Sequence, residues 1–264
     1  MTLTSFKLFA KLNMWWVDAP FFKKVINNQE TGKGIAVLKT AIAIAMQSDF
    51  HSRESKISYS ELENITGLSR PMVSKAIQIL IQENIIELML IDGKEKKKGQ
   101  ANVYRLLDKS PEDSLVDEPL ENSLMDDNDD FSFSKKKRKG WTKLPYKPLL
   151  ENLKNLPNKG VGGLGALKNY LIILKYRSNH LDFTQISHNK FIEKCGVQAN
   201  TVKRSNDILF NNNLISIAKK IEDGHVVASP NMYFIKGLGV GRQGLEQKLI
   251  FEDAELQKNL NQYD

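Results

Sequence analysis

Ile57-Ser58-Tyr59-Ser60-Glu61-Leu62, with Thr66-Gly67-Leu68-Ser69-Arg70-Pro71-Met72-Val73-Ser74-Lys75-Ala76-Ile77 close behind it, decides the fold. Ser58 and Glu61 have the Ser-x-x-Glu spacing of a capping box. In such a box the hydroxyl and the carboxylate each satisfy a backbone N–H left free by the first helical turn. A helix is predicted from this point to about Thr66. Gly67 stands where a tight turn needs a positive φ, which is cheap for glycine. Ser69 then holds the N-cap place of another helix, with Val73, Ile77, Leu80 and Ile81 on its apolar face. The stretch reads as helix, tight turn, helix, ending near Asn84.

The same pattern returns 129 residues later. Residues 34–106 align without a gap on residues 163–235, with 15 identities in 73 positions. Leu38-Lys39 meets Leu167-Lys168, Ile57-Ser58 meets Ile186-Ser187, and Gly67 meets Gly196. Val73 meets Val202, Ile79-Leu80 meets Ile208-Leu209, Asn84 meets Asn213, and Tyr104 meets Tyr233. Two copies of one structural unit account for these placements.

Each copy has one order of elements. An apolar helix is predicted at about 35–48 and 164–177, then the helix-turn-helix, then two β-prone stretches. These are about 85–91 and 102–107 in the first copy, and 214–221 and 231–236 in the second. Helix, helix-turn-helix and hairpin in that order make a winged helix-turn-helix. The expected fold class is α+β, mainly helical, with two such domains in tandem. The expected boundaries are 1–107 and 141–238 for the domains, 108–140 for a disordered charged linker, and 239–264 for a C-terminal tail or helix.

In this architecture the second helix of the motif carries the residues that enter a DNA major groove. The first copy offers Ser69, Arg70, Met72, Ser74, Lys75 and Gln78; the second offers Gln198, Asn200, Thr201, Lys203 and Arg204. Arg suits guanine, and Asn and Gln suit adenine. Neither run from the turn glycine through the next ten residues contains Asp or Glu, as expected of a surface that approaches phosphates. Lys94, Lys96, Lys97 and Lys98 lie at the predicted tip of the first wing, where they can follow a phosphate backbone. Edge-protecting charges are the alternative reading of the same residues.

Between the copies, residues 108–130 hold ten acids and one base, giving −9 in a chain whose net charge is +7. Lys135-Lys136-Lys137-Arg138-Lys139 follows at once and is a candidate phosphate-binding arm. A flexible linker of this length averages about 30–35 Å, close to one turn of duplex DNA at about 34 Å.

The basic balance points to a polyanion, nucleic acid or an anionic membrane surface. The most apolar run, Ile35 to Met46, contains Lys39 and is too short to span a bilayer, so no membrane association is expected. Cys195 is the only cysteine. It excludes an internal disulfide and, with four scattered His, gives no zinc spacing. It reads as a structural thiol, and the chain as intracellular: cytoplasmic and nucleoid-associated. No signal segment is visible. Gly160-Val161-Gly162-Gly163-Leu164-Gly165 and Gly239-Val240-Gly241-Arg242-Gln243-Gly244 match G-x-G-x-x-G, but neither sits in a βαβ unit; the first reads as a flexible approach to a helix. No P-loop or catalytic constellation stands out, so no enzyme activity and no cofactor or metal are expected.

Residues 15–90, with Trp15, Trp16 and Pro20 ahead of the helix-turn-helix quoted above, resemble the N-terminal domain of phage replication protein O. Gly140-Trp141-Thr142-Lys143-Leu144-Pro145-Tyr146 looks like the same opening in the second copy. The tandem layout is similar to plasmid replication initiators with two winged-helix domains. These resemblances imply double-stranded DNA at an origin or iteron as the partner, with contacts to replication machinery. A second winged helix stands where the phage family carries its helicase-loader-binding tail, so helicase recruitment does not carry over. A winged-helix transcriptional regulator and an architectural or partition protein stay open as alternatives, as does a homodimer.

Overall fold

The structure is a computed structural model and describes residues 7–19, 21–22, 30–89, 101–108, 140–219, 221–222, 225–226 and 230–238. Among these it is an α+β protein with eight α-helices and ten short strands. The first half opens with β1 (Phe9–Asn13) and a short α1 (Trp15–Asp18), followed by α2 (Thr31–Gln47), β2 (Glu54–Ile57), α3 (Tyr59–Thr66) and α4 (Arg70–Gln82). It closes with β3 (Ile86–Met89) and β4 (Asn102–Leu106). The second half is β5 (Trp141–Pro145), α5 (Tyr146–Asn152) with a 3-10 turn at Leu153–Asn155, α6 (Gly160–Tyr176), β6 (Phe183–Gln185), α7 (His188–Cys195) and α8 (Ala199–Asn211). It ends with β7 (Ile215–Ala218), the pair β8 (Ile221–Glu222) and β9 (His225–Val226), and β10 (Met232–Ile235).

The halves obey one plan. Strands β2-β4-β3 form an antiparallel sheet in the first, and β6-β10-β7 repeat that order in the second. Helices α2, α3 and α4 and strand β3 begin and end 129 residues before α6, α7, α8 and β7. Ser58 and Ser187 cap α3 and α7. Gly67 and Gly196 hold φ of 67° and 65°, and Asn84 and Asn213 both hold 53°. The first helices, predicted at about 35–48 and 164–177, start four residues earlier than periodicity suggests.

Two points correct the sequence reading. The glycine run 160–165 is no flexible approach; it forms the first turns of α6. A Cβ on Gly165 would lie 2.3 Å from Ser205 Oγ and one on Gly163 2.8 Å from Pro157 O, so glycine lets α8 and the preceding segment approach closely. The second point concerns the separation of the halves. They do not hang about 30–35 Å apart on a linker; they are packed together. β1 pairs antiparallel with β5, Lys11 opposite Lys143, and α2 packs on α6. One buried core runs through both, from Leu12 and Ile42 to Leu144 and Leu171. Both described ends of the linker lie at this ribbon: Lys11 donates to Asp108 Oδ2 at 3.3 Å, and the Met14 N–H donates to Gly140 O at 2.9 Å. Residues 90–100, 109–139 and 239–264, where the first wing tip, most of the linker and the tail are expected, lie outside the described residues. No described helix is long and apolar enough to cross a membrane.

Like charges placed directly opposite in a ladder are unfavourable. The ribbon offsets this by laying its two lysines on rings. Lys11 Nζ is 5.9 Å from the centroids of Phe50 and Trp141, and Lys143 Nζ is 5.0 Å from that of Phe9.

Candidate nucleic-acid interface

In the first half α3 is fixed at its start by a complete capping box. Ser58 Oγ accepts from the Glu61 N–H at 3.2 Å, and Glu61 Oε2 accepts from the Ser58 N–H at 2.7 Å. Gly67 ends it in the left-handed conformation, and Pro71 begins α4 where a missing N–H does no harm. Val73, Ala76, Ile77 and Leu80 then lock one face of α4 into the core. The opposite face exposes Ser69, Arg70, Lys75 and Gln78; Ser74 is half-buried. Met72 is also half-buried and packs against the core, so it gives the surface less than the sequence suggested. Arg70 lies 5.5 Å above the Tyr59 ring. Glu30 is an acid near this helix: Lys33, by hydrogen bond and charge, and Lys75 by charge hold its carboxyl below the usual range.

The second half repeats the construction with different side chains. Ser187 Oγ accepts from the Lys190 N–H at 3.3 Å, Gly196 makes the turn, and Val202, Ser205, Asn206 and Leu209 bury one face of α8. Gln198, Asn200, Lys203 and Arg204 are exposed. Thr201 takes the place of Met72 and is likewise half-buried; its Cγ2 would sit 3.2 Å from a Cβ on Gly165, so it faces α6. The Arg204 side chain runs beside the start of α6, its Nε 3.5 Å from where a Cβ on Gly162 would lie. Cys195 is buried against Asn169 Oδ1 at 3.4 Å, and burial pushes its thiol up to about 12, the state of an inert structural thiol.

Both surfaces share an electrostatic feature. A helix macrodipole favours acids at the N-terminus, yet the first turns of α4 and α8 carry none. Lys75 and Arg204, at equivalent positions, put a cation on each exposed face. Such a helix start, with free N–H groups and cations beside it, suits a phosphate. Lys94, Lys96, Lys97 and Lys98, and the arm Lys135, Lys136, Lys137, Arg138 and Lys139, lie outside the described residues. No cluster of metal-ligating side chains is found among the described residues.

Sequence reasoning missed the residues that hold these surfaces from behind. Lys39 and Lys168, identical in the repeat, are buried in α2 and α6; Lys39 Nζ donates to Thr66 O at 2.9 Å and Lys168 Nζ to Cys195 O at 2.9 Å. Each ties the first helix of its half to the last residue before the turn. A lysine kept twice inside an apolar run was the available signal. No protein-family model matches the chain, and no curated protein sequence matches it.

Proposed function

We propose that each half is a winged helix-turn-helix, and that the chain is a sequence-specific double-stranded DNA-binding protein acting as a replication initiator. Its target would be an origin or iteron of a plasmid, phage or integrated element. The observation that carries the DNA reading is the twofold occurrence of one arrangement: a left-handed turn glycine, a following helix with no acid in its first turn, and a cation at equivalent places, Lys75 and Arg204. The initiator role rests on the resemblance to replication proteins. No catalytic step and no cofactor enter this reading.

The exposed faces differ at Ser69 and Gln198, Arg70 and Ala199, and Ser74 and Lys203, so they should prefer different bases. The site is therefore an asymmetric composite of two unlike patches. Because the halves are packed together, the spacing between patches should be fixed. Selection from a random duplex library followed by footprinting tests this. The expected result is two protected patches about 10 bp apart or a multiple of that. Binding should weaken steeply with salt, by about 0.9 in the log–log slope per phosphate contact. Arg70→Ala should relax one patch about tenfold, and Lys203→Ala with Arg204→Ala should weaken the other. Inserting about half a helical turn between the patches should abolish joint binding. A flat salt dependence would remove the nucleic-acid reading. Genome-wide mapping of bound sites to promoters instead of an origin would replace initiation with transcriptional control.

A further inference from the structure

The two turn glycines have the same conformation and unlike surroundings. A Cβ on Gly67 would lie 3.0 Å from Lys154 O and 3.3 Å from Lys154 Cβ, whereas one on Gly196 would meet nothing within 4 Å among the described residues. The segment over Gly67 belongs to the second half. Within it Asn158 works in both directions: its Nδ2 donates to Gly67 O at 2.8 Å and its Oδ1 accepts from Lys39 Nζ at 2.7 Å. Lys39 Nζ also donates to Leu156 O at 2.7 Å and to Thr66 O at 2.9 Å. This fully buried ammonium thus joins α2, the end of α3 and the second half, with three oxygens and, among the described residues, no carboxylate bonded to it. Its counterpart Lys168 donates to Cys195 O and lies 5.6 Å from the centroid of the Phe22 ring.

We propose that Asn158 and Lys39 are positioning residues for the first reading helix: the second half, through them, sets the pose of the Gly67 turn and of α4. The turn before α8 has no such hold on Gly196 among the described residues. This inference rests on the DNA reading above. If it holds, the base preferences of α4 depend on a residue that belongs to the other half and need not touch DNA.

The test uses the full chain with Asn158→Ala and Asn158→Asp. The aspartate keeps an acceptor for Lys39 and loses the donor to Gly67 O, so it separates the two links. Hydrogen exchange is followed by mass spectrometry in peptides covering 67–73 and 196–202, and base preferences are selected from a random duplex library. In Asn158→Ala, exchange around Gly67 should speed up about tenfold, as expected when a hydrogen bond of ordinary strength is lost. Exchange around Gly196 should be unchanged. Preferences in the patch relaxed by Arg70→Ala should fade, and those in the other patch persist. Asn158→Asp should fall between Asn158→Ala and the parent protein. Equal acceleration at both turns with uniform loss of binding would mean general destabilisation and would overturn the proposal, as would no change at either turn. A parent protein that selects no duplex at all defeats the DNA reading instead, and the exchange result then decides alone whether the hold on the turn exists.

Discussion

Asn169 and Asn206, in α6 and α8, occupy in the second half the places that Thr40 and Ile77 hold in the equally long α2 and α4 of the first. The second half's part of the shared core therefore carries a chain of polar contacts at this place. Asn169 Nδ2 donates to Asn206 Oδ1 at 2.9 Å, Asn206 Nδ2 donates to Tyr233 Oη at 3.3 Å, and Cys195 Sγ lies 3.4 Å from Asn169 Oδ1. In the first half the buried Ile77 stands in place of Asn206. The corner beneath each first helix differs as well. Arg53, at a φ of 62°, donates to Asp108 Oδ1 and Asn13 Oδ1 in the first half; Arg177 donates to Thr142 Oγ1 and Asn179 Oδ1 in the second. One backbone plan thus accepts an apolar or a polar interior and a guanidinium from either side of a loop. What it requires is that the turn, the caps and the interface between halves survive.

The largest expected effect concerns that interface. Leu12 and Leu144 are fully buried on the inner face of the ribbon joining the halves. Leu144→Ala should destabilise the protein by about 3 kcal/mol, through lost transfer energy and the cavity left behind. Both halves should still unfold in one transition, because the core is shared. Denaturant melts with hydrogen exchange in each half check this. Separate melting of the second half, with the first intact, would mean that the halves are independent after all.

A second contrast is testable in the cores. Asn206→Ala leaves the Asn169 amide with only the long 3.4 Å bond to Val202 O and takes one partner from the Tyr233 hydroxyl, so it should cost about 2 kcal/mol in equilibrium unfolding. The pair Asn169→Thr and Asn206→Ile imports the first half's solution. It should cost less than Asn206→Ala alone, because one buried amide is replaced by packing and the other is gone. If the pair is the worse of the two, the polar chain specifies the second half's shape beyond its hydrogen bonds.

How far the sequence could be read follows from the range of each interaction. The helix-turn-helix units were legible because Ser58, Glu61, Gly67 and Gly196 act locally, within a turn or two of their own backbone. The +129 repeat was legible because core positions are tied to helical period. The pairing of Phe9-Ala10-Lys11-Leu12 with Trp141-Thr142-Lys143-Leu144 was not, although both stretches carry an aromatic, a lysine and a leucine at one spacing. A lone five-residue strand has no strong period, and its partner lies beyond the acidic segment. The outward directions of Met72 and Thr201 were misjudged because helical spacing alone does not say how closely α2 and α6 approach.

The lysines behind the turns predict a pH dependence of smaller size. Burial lowers the Lys39 ammonium from 10.5 to about 8. Between those values the unfolded chain holds a proton that the folded one lacks, so this group makes stability rise with pH across that window. Cys195 acts oppositely above 9, since its raised thiol keeps a proton that the unfolded chain loses. The difference between the parent and Lys39→Met isolates the lysine, because the cysteine is common to both. That difference should grow in the parent's favour from pH 8 to about 9.5. A constant difference over this range would mean that Lys39 titrates at the same pH in the folded and unfolded chains.

The smallest expected effect separates the two caps. Ser58 and Ser187 both accept from the N–H three residues on, but only Ser58 has a carboxylate returning the bond, since Lys190 stands where Glu61 would be and pairs instead with Glu193 at 3.1 Å. Ser58→Ala should cost about 1 kcal/mol, and Ser187→Ala a few tenths less. The two should also differ in acid. The bond from the Ser58 N–H, followed by that from its hydroxyl, holds the Glu61 carboxyl below its usual 4.5. Its contribution is therefore complete above that value and is lost as pH falls through the lowered one. In denaturant melts the gap between the two serine variants should close on acidification, whereas Lys190→Gln, which can return the missing bond, should narrow it at neutral pH by stabilising α7 a few tenths of a kcal/mol. Equal costs at neutral pH would show that the carboxylate adds nothing to the serine, and that the box in the first half works as a single cap, like its counterpart.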